Sequence, residues 1–112
     1  MENQQPDLDS FEDFSGKFIK PEFVKDWNSP FIPINAESYF DEDEKARITY
    51  TGQFEGKKRC WEPNKTNMQI MKDLGIASPR ALVGKKVFFR KVMNFSPVTK
   101  KKVPGLEIEK IE

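Results

Sequence analysis

The chain contains no histidine and a single cysteine, Cys60. Without an imidazole there is no histidine general base, no Ser-His or Cys-His pair and no Cys/His zinc site. One cysteine cannot form an internal disulfide, which fits a reducing, cytoplasmic compartment. No apolar run approaches the roughly 18 residues that a membrane span needs, and the acidic N-terminus lacks the apolar stretch of a secretory signal. No GxxxxGK[ST] phosphate loop occurs; Gly84, before Lys85 and Lys86, reads as a loop-to-strand glycine. Cys60 has cationic neighbours but no base beside it in sequence, and reads as a structural thiol. The acidic run Asp41 to Glu44 lacks the glycine and ligand spacing of a calcium loop and reads as a solvated hairpin loop. Catalysis is therefore not expected, nor is a cofactor or a metal.

What the chain does have is aromatic residues and an uneven charge distribution. Its 112 residues suffice for one domain, and ten of its fourteen aromatics are Phe, enough to build a modest core. The net charge of +1 conceals three regions. Residues 1–16 carry five acids and no base, and residues 17–44 carry seven acids against three bases. Residues 45–103 carry fifteen bases against three acids, a net of +12. A basic domain between acidic ends points to an anionic partner.

Residues 1–16 have no periodicity and read as a disordered acidic tail. Leu8, Phe11 and Phe14, spaced three apart among acids, suit docking to a protein partner; alternatively the tail competes with nucleic acid for a basic groove. Residues 17–112 read as a single domain. Lys17 to Asn28 is expected to form a short helix or irregular segment, with Trp27 buried or half-buried as packing, that plugs one end of a barrel. Pro30 to Phe40 is expected as a first strand, bulged or at an edge because of Pro33. Lys45 to Phe54 alternates with Ile48, Tyr50 and Phe54 on one face. Glu55-Gly56 marks a hairpin turn into a third strand, Lys57 to Glu62. Thr66 with Gln69 fits a capping box for a helix over Asn67 to Leu74, stopped at Gly75. Its apolar residues Ile70, Met71 and Leu74 are expected to face the barrel floor. A loop with one helical turn after Ser78-Pro79 leads to a fourth strand, Lys85 to Phe95, with a bulge near Lys91-Val92. Lys100, Lys101 and Lys102 are expected in the last loop, before a fifth strand, Val103 to Ile111. The fold class is mainly β: a five-stranded OB-type barrel with one short α-helix between strands three and four.

The run Trp61-Glu62-Pro63-Asn64-Lys65-Thr66-Asn67, then Leu74-Gly75, then Val83-Gly84-Lys85-Lys86-Val87-Phe88-Phe89, resembles a group of small proteins of phages and of archaeal or bacterial mobile elements. The resemblance covers roughly Gly56 to Phe89 and more weakly extends to Ile111. It implies a compact OB-type barrel and single-stranded nucleic-acid binding. The acidic tail and the lysine run lie outside the pattern.

Single strands are held by cations that track the phosphates and by aromatic faces on which bases stack. The fourth strand offers Lys86, Phe88 and Arg90 on one face, cation, ring, cation. The third offers Lys57, Arg59 and Trp61 in the same interleaving. Lys65 stands at the start of the helix, and Lys100, Lys101 and Lys102 in a loop that often clasps the strand in OB barrels. The expectation is binding of single-stranded DNA, with RNA as the second choice and little sequence preference, in replication or recombination of a virus or mobile element. A protein-interaction module, viral structural or regulatory, whose basic face meets an acidic partner is the alternative. Open edge strands leave both a monomer and a homodimer.

Overall fold

The computed structural model describes residues 18–96 and 99–112; the acidic tail and its proposed roles lie outside them. Five strands form one antiparallel sheet: β1 Phe31–Phe40, β2 Ala46–Phe54, β3 Lys57–Trp61, β4 Val87–Ser96 and β5 Lys101–Ile111. Their order across the sheet is β3-β2-β1-β4-β5. One α-helix, α1, spans Lys65–Asp73, and single 3-10 turns occur at Pro21–Phe23 and Pro79–Leu82. Among the described residues no helix is long and apolar enough to cross a membrane.

The local signals explain most of these elements. Glu55 and Gly56 both adopt positive φ, the backbone of a two-residue hairpin turn whose twist suits the flanking strands. Pro33 has no N–H to donate, and the β1–β2 register shifts between Pro33 and Asn35, leaving Ile34 as the extra residue. Opposite that bulge, Gly52 lies so close to β1 that a Cβ there would sit 2.1 Å from the Ile32 carbonyl oxygen. Helix α1 is capped by Asn64, whose side chain accepts from the Asn67 N–H at 2.9 Å. The expected Thr66–Gln69 capping box does not form: the helix starts earlier, and Gln69 donates instead to Asp73 at 3.0 Å. Because of that phase Met71 and Asn67 face inward, while Leu74 is 49% exposed rather than core.

One aromatic cluster receives side chains from every strand. Phe31, Tyr50, Phe54, Trp61, Val87, Phe89 and Ile108 are buried with Met71 of α1 and Leu82. The Trp61 ring stacks on Tyr50 (5.9 Å, 23°) and meets Phe89 edge-on at 5.0 Å. The Tyr50 hydroxyl donates to the Pro79 carbonyl at 2.6 Å. Burial pushes the Tyr50 phenol up to about 12.

The sheet is not closed, since β3 and β5 remain its two edges. Each edge is covered at one place. The segment before Pro21 pairs in parallel with β3, Ile19 N–H donating to the Cys60 carbonyl at 3.0 Å. On β5 the cover is a side chain. Asn67, 2% exposed, donates to the Leu106 carbonyl at 3.0 Å and accepts from the Ile108 N–H at 2.8 Å. Its amide imitates the peptide group of a neighbouring strand, so buried backbone groups find partners where strand pairing stops.

The β4–β5 register shifts between Phe88 and Phe89, opposite Glu109, and not near Lys91-Val92 as the alternation suggests. From Phe89 to Ser96 the pairing is continuous, so these strands run on as a long hairpin. Lys101 and Lys102 belong to β5 rather than to the loop, with Lys100 at positive φ in the turn before them.

Candidate functional site

The ten residues expected to bind nucleic acid fall into separate places. On β4 and the residue before it, Lys86, Phe88 and Arg90 do share one face: Val87 and Phe89 between them are buried, Phe88 is half-buried, and both cations are exposed. Acids from β5 accompany them. Arg90 pairs with Glu107, a hydrogen bond that raises its pKa. Lys110 sits 4.6 Å above the Phe88 ring and 2.9 Å from Glu112. This stripe is therefore close to charge-balanced, and its ring already carries a cation on one side.

On β3 the expectation fails for Trp61. Trp61 pairs with Tyr50 and shares its side of the sheet, and the ring is 4% exposed. It is a centrepiece of the core and offers no face to a base. Lys57 and Arg59 have the same parity but lie nearer the hairpin turn, beside Ile19, Phe23 and Phe54, where the core ends. Lys65, in the first turn of α1, is exposed. Two strands separate β3 from β4, so the cation–ring patterns of the two strands do not merge.

Of two further surfaces, the sequence reading caught one only through Lys100, Lys101 and Lys102 and missed the other. The first is the distal half of the β4–β5 hairpin. Lys91 faces Leu106, Met93 faces Pro104 and Phe95 faces Lys102 across the strands. These pairs continue the face of Phe89 and Ile108, yet Met93 is 54% and Phe95 64% exposed, because the hairpin outruns the core. Residues 91–106 contain four lysines and no acid. The four, Lys91, Lys100, Lys101 and Lys102, are all exposed. Besides the lysine run, the signal for Met93 and Phe95 was length: apolar parity in β4 persists further than one small core needs.

The second is the outer face of β1, β2 and β3, opposite the aromatic cluster. Asn35, Thr51 and Cys60 form one row across the three strands, and Glu37 faces Thr49 in the next. Together with Phe18, Ile34 and Lys58 at the margins they enclose a groove of about 490 Å³. That volume falls within the roughly 300–1,000 Å³ of small-ligand sites. Beyond it, Glu62 accepts from the Tyr39 hydroxyl at 2.8 Å and from Thr49 at 3.2 Å. The Glu62 carboxylate raises the Tyr39 pKa. Cys60 is buried in the groove floor, 3.5 Å from the Thr51 hydroxyl.

The acidic loop is built as a turn. Asp41 accepts from the backbone N–H groups of Lys45 and Asp43 and from Arg47 at 2.8 Å, bonds that hold its carboxyl below the usual range. Among the described residues no three His, Cys, Asp or Glu side chains group to hold a metal. Comparisons with protein-family models, with curated proteins and with solved structures give no match to this chain.

Proposed function

We propose that this chain binds single-stranded nucleic acid, DNA or RNA, chiefly through phosphate contacts and stacking, in the replication or recombination of a virus or mobile element. The observation that carries the reading is the distal β4–β5 hairpin: an acid-free stretch with four exposed lysines around an exposed Phe95 and Met93. A flat ring among cations is what a single strand requires, since bases stack on the ring while the cations meet the phosphates. The strand order supports reading the sheet as an open OB-type barrel, in which the β4–β5 connection lies beside the ligand. Lys86, Phe88 and Arg90 stand on the opposite face of β4 from Phe95 and Met93, and make a second contact only for a strand that wraps round the sheet.

The test is fluorescence anisotropy of a labelled mixed-sequence oligonucleotide at about 50 and 200 mM salt, where counterion release makes phosphate binding steeply salt-dependent. Replacing Lys100, Lys101 and Lys102 by Gln should reduce the slope of log affinity against log salt by about 2, at roughly 0.7 per phosphate contact. Phe95→Ala should weaken binding by roughly five- to a hundredfold, the equivalent of one lost stacking platform. No binding at the lower salt by a folded sample would remove this function. The same hairpin, with Met93, Phe95 and Val103 exposed, would then be read as a surface for an acidic protein partner.

A further inference from the structure

The outer groove contains a feature that a surface built only for phosphates would avoid. Glu37 is exposed within it, and its Oε1 accepts from the Asn35 side-chain amide at 3.2 Å. Among the described residues its second oxygen has no hydrogen-bond partner, whereas both oxygens of the neighbouring Glu62 are engaged. A carboxylate repels phosphate and accepts only N–H or O–H donors. The groove margins carry an exposed phenyl ring, Phe18, on the β3 side and the bulged Ile34 on the β1 side, apolar walls for a flat molecule. Lys58 at the margin supplies a cation for a carbonyl oxygen or a phosphate.

We infer that this groove is a base-selective subsite, resting on the function proposed above, that accepts an unpaired base carrying an exocyclic amine and disfavours thymine or uracil. Cytosine presents an N4 amine and adenine an N6 amine at the edge where thymine presents the O4 acceptor. The free oxygen of Glu37 takes the amine proton, Asn35 holds the carboxylate in place, and Phe18 with Ile34 flank the ring. Thymine in the same pose sets its O4 lone pairs against the carboxylate. The bulge is what makes the site: it turns Ile34 out to the groove margin and sets Asn35 and Glu37 on the face of Thr51 and Thr49.

The experiment uses the full chain with labelled oligo-dC, oligo-dA and oligo-dT of equal length at one salt concentration, comparing the native protein with Glu37→Gln. Oligo-dC and oligo-dA should bind the native protein roughly tenfold more tightly than oligo-dT, the lower part of the range for one good base contact. Glu37→Gln removes a negative charge and so strengthens binding of all three. The readout is therefore the ratio, which should fall toward one because an amide both donates and accepts. Equal binding of the three by the native protein, or a ratio unchanged in Glu37→Gln, would overturn the inference while leaving the general function intact. Failure of every oligonucleotide to bind would overturn both.

Discussion

Removing the Asn67 side chain is the sharpest test of how this open sheet holds together. In Asn67→Ala the Leu106 carbonyl and the Ile108 N–H lose the partners now at 3.0 and 2.8 Å. Asn64 loses the amide that meets its cap oxygen at 3.1 Å. Each buried backbone group left unpaired costs roughly 1–3 kcal/mol. The two lie at a sheet edge where water can enter once the amide is gone, so the lower half of that range applies and the total is about 3 kcal/mol. Against the roughly 5–15 kcal/mol by which a small domain is stable, that is a large fraction. In urea, at about 2 kcal/mol per molar, the midpoint should fall by about 1.5 M, followed by tryptophan emission. Asn67→Asp separates the hydrogen bonds from mere volume. It keeps the acceptor for Ile108 but aims a carboxylate oxygen at the Leu106 carbonyl, so the protonated acid is the form the fold tolerates. The folded-state pKa is then raised, and the variant's stability is present below the ordinary aspartate range and lost as pH rises through the folded value. If Asn67→Ala shifts the midpoint by less than about 0.3 M, or Asn67→Asp is equally stable at pH 4 and 7, the amide does not hold the β5 edge.

Two further outcomes follow from the core. Trp61→Ala should destabilise the protein by about 3–5 kcal/mol, as large aromatic truncations do, whereas Trp61→Phe should leave oligonucleotide affinity unchanged. A folded Trp61→Phe protein that binds less tightly by anisotropy would return this ring to the interface. Tyr50 ionises near 10 when unfolded and at about 12 in the fold, so its contribution is complete below pH 10 and is lost as pH rises toward 12. The loss amounts to about 3 kcal/mol, and a denaturant midpoint that declines just as steeply over this window in Tyr50→Phe would assign the effect to other groups.

Strand pattern made the order of elements legible, because alternation, a two-residue turn and a misplaced proline are local signals. Alternation gives the side of a sheet on which a residue lies, and nothing about how far along the sheet the core extends. Trp61 and Lys57 have one parity, as do Phe89 and Phe95, yet each pair divides between interior and surface. The division is set by where neighbouring strands meet. β1 and β4 pair only at Phe31 and Val87, so both hairpins leave the core soon after that junction. A contact 56 residues apart in sequence thus decides that Phe95 is exposed and Trp61 is not. The same holds for Asn67. Local pattern marks it only as the first residue of the expected helix, its partners on β5 lie 39 and 41 residues away, and no local rule reaches them. Glu37 was readable only as one more solvated acid until the Ile34 bulge set it on the groove face with Asn35 and Thr49. Residues whose role comes from a neighbouring strand carry the chemistry of this surface, and for that reason periodicity found the frame and missed the groove.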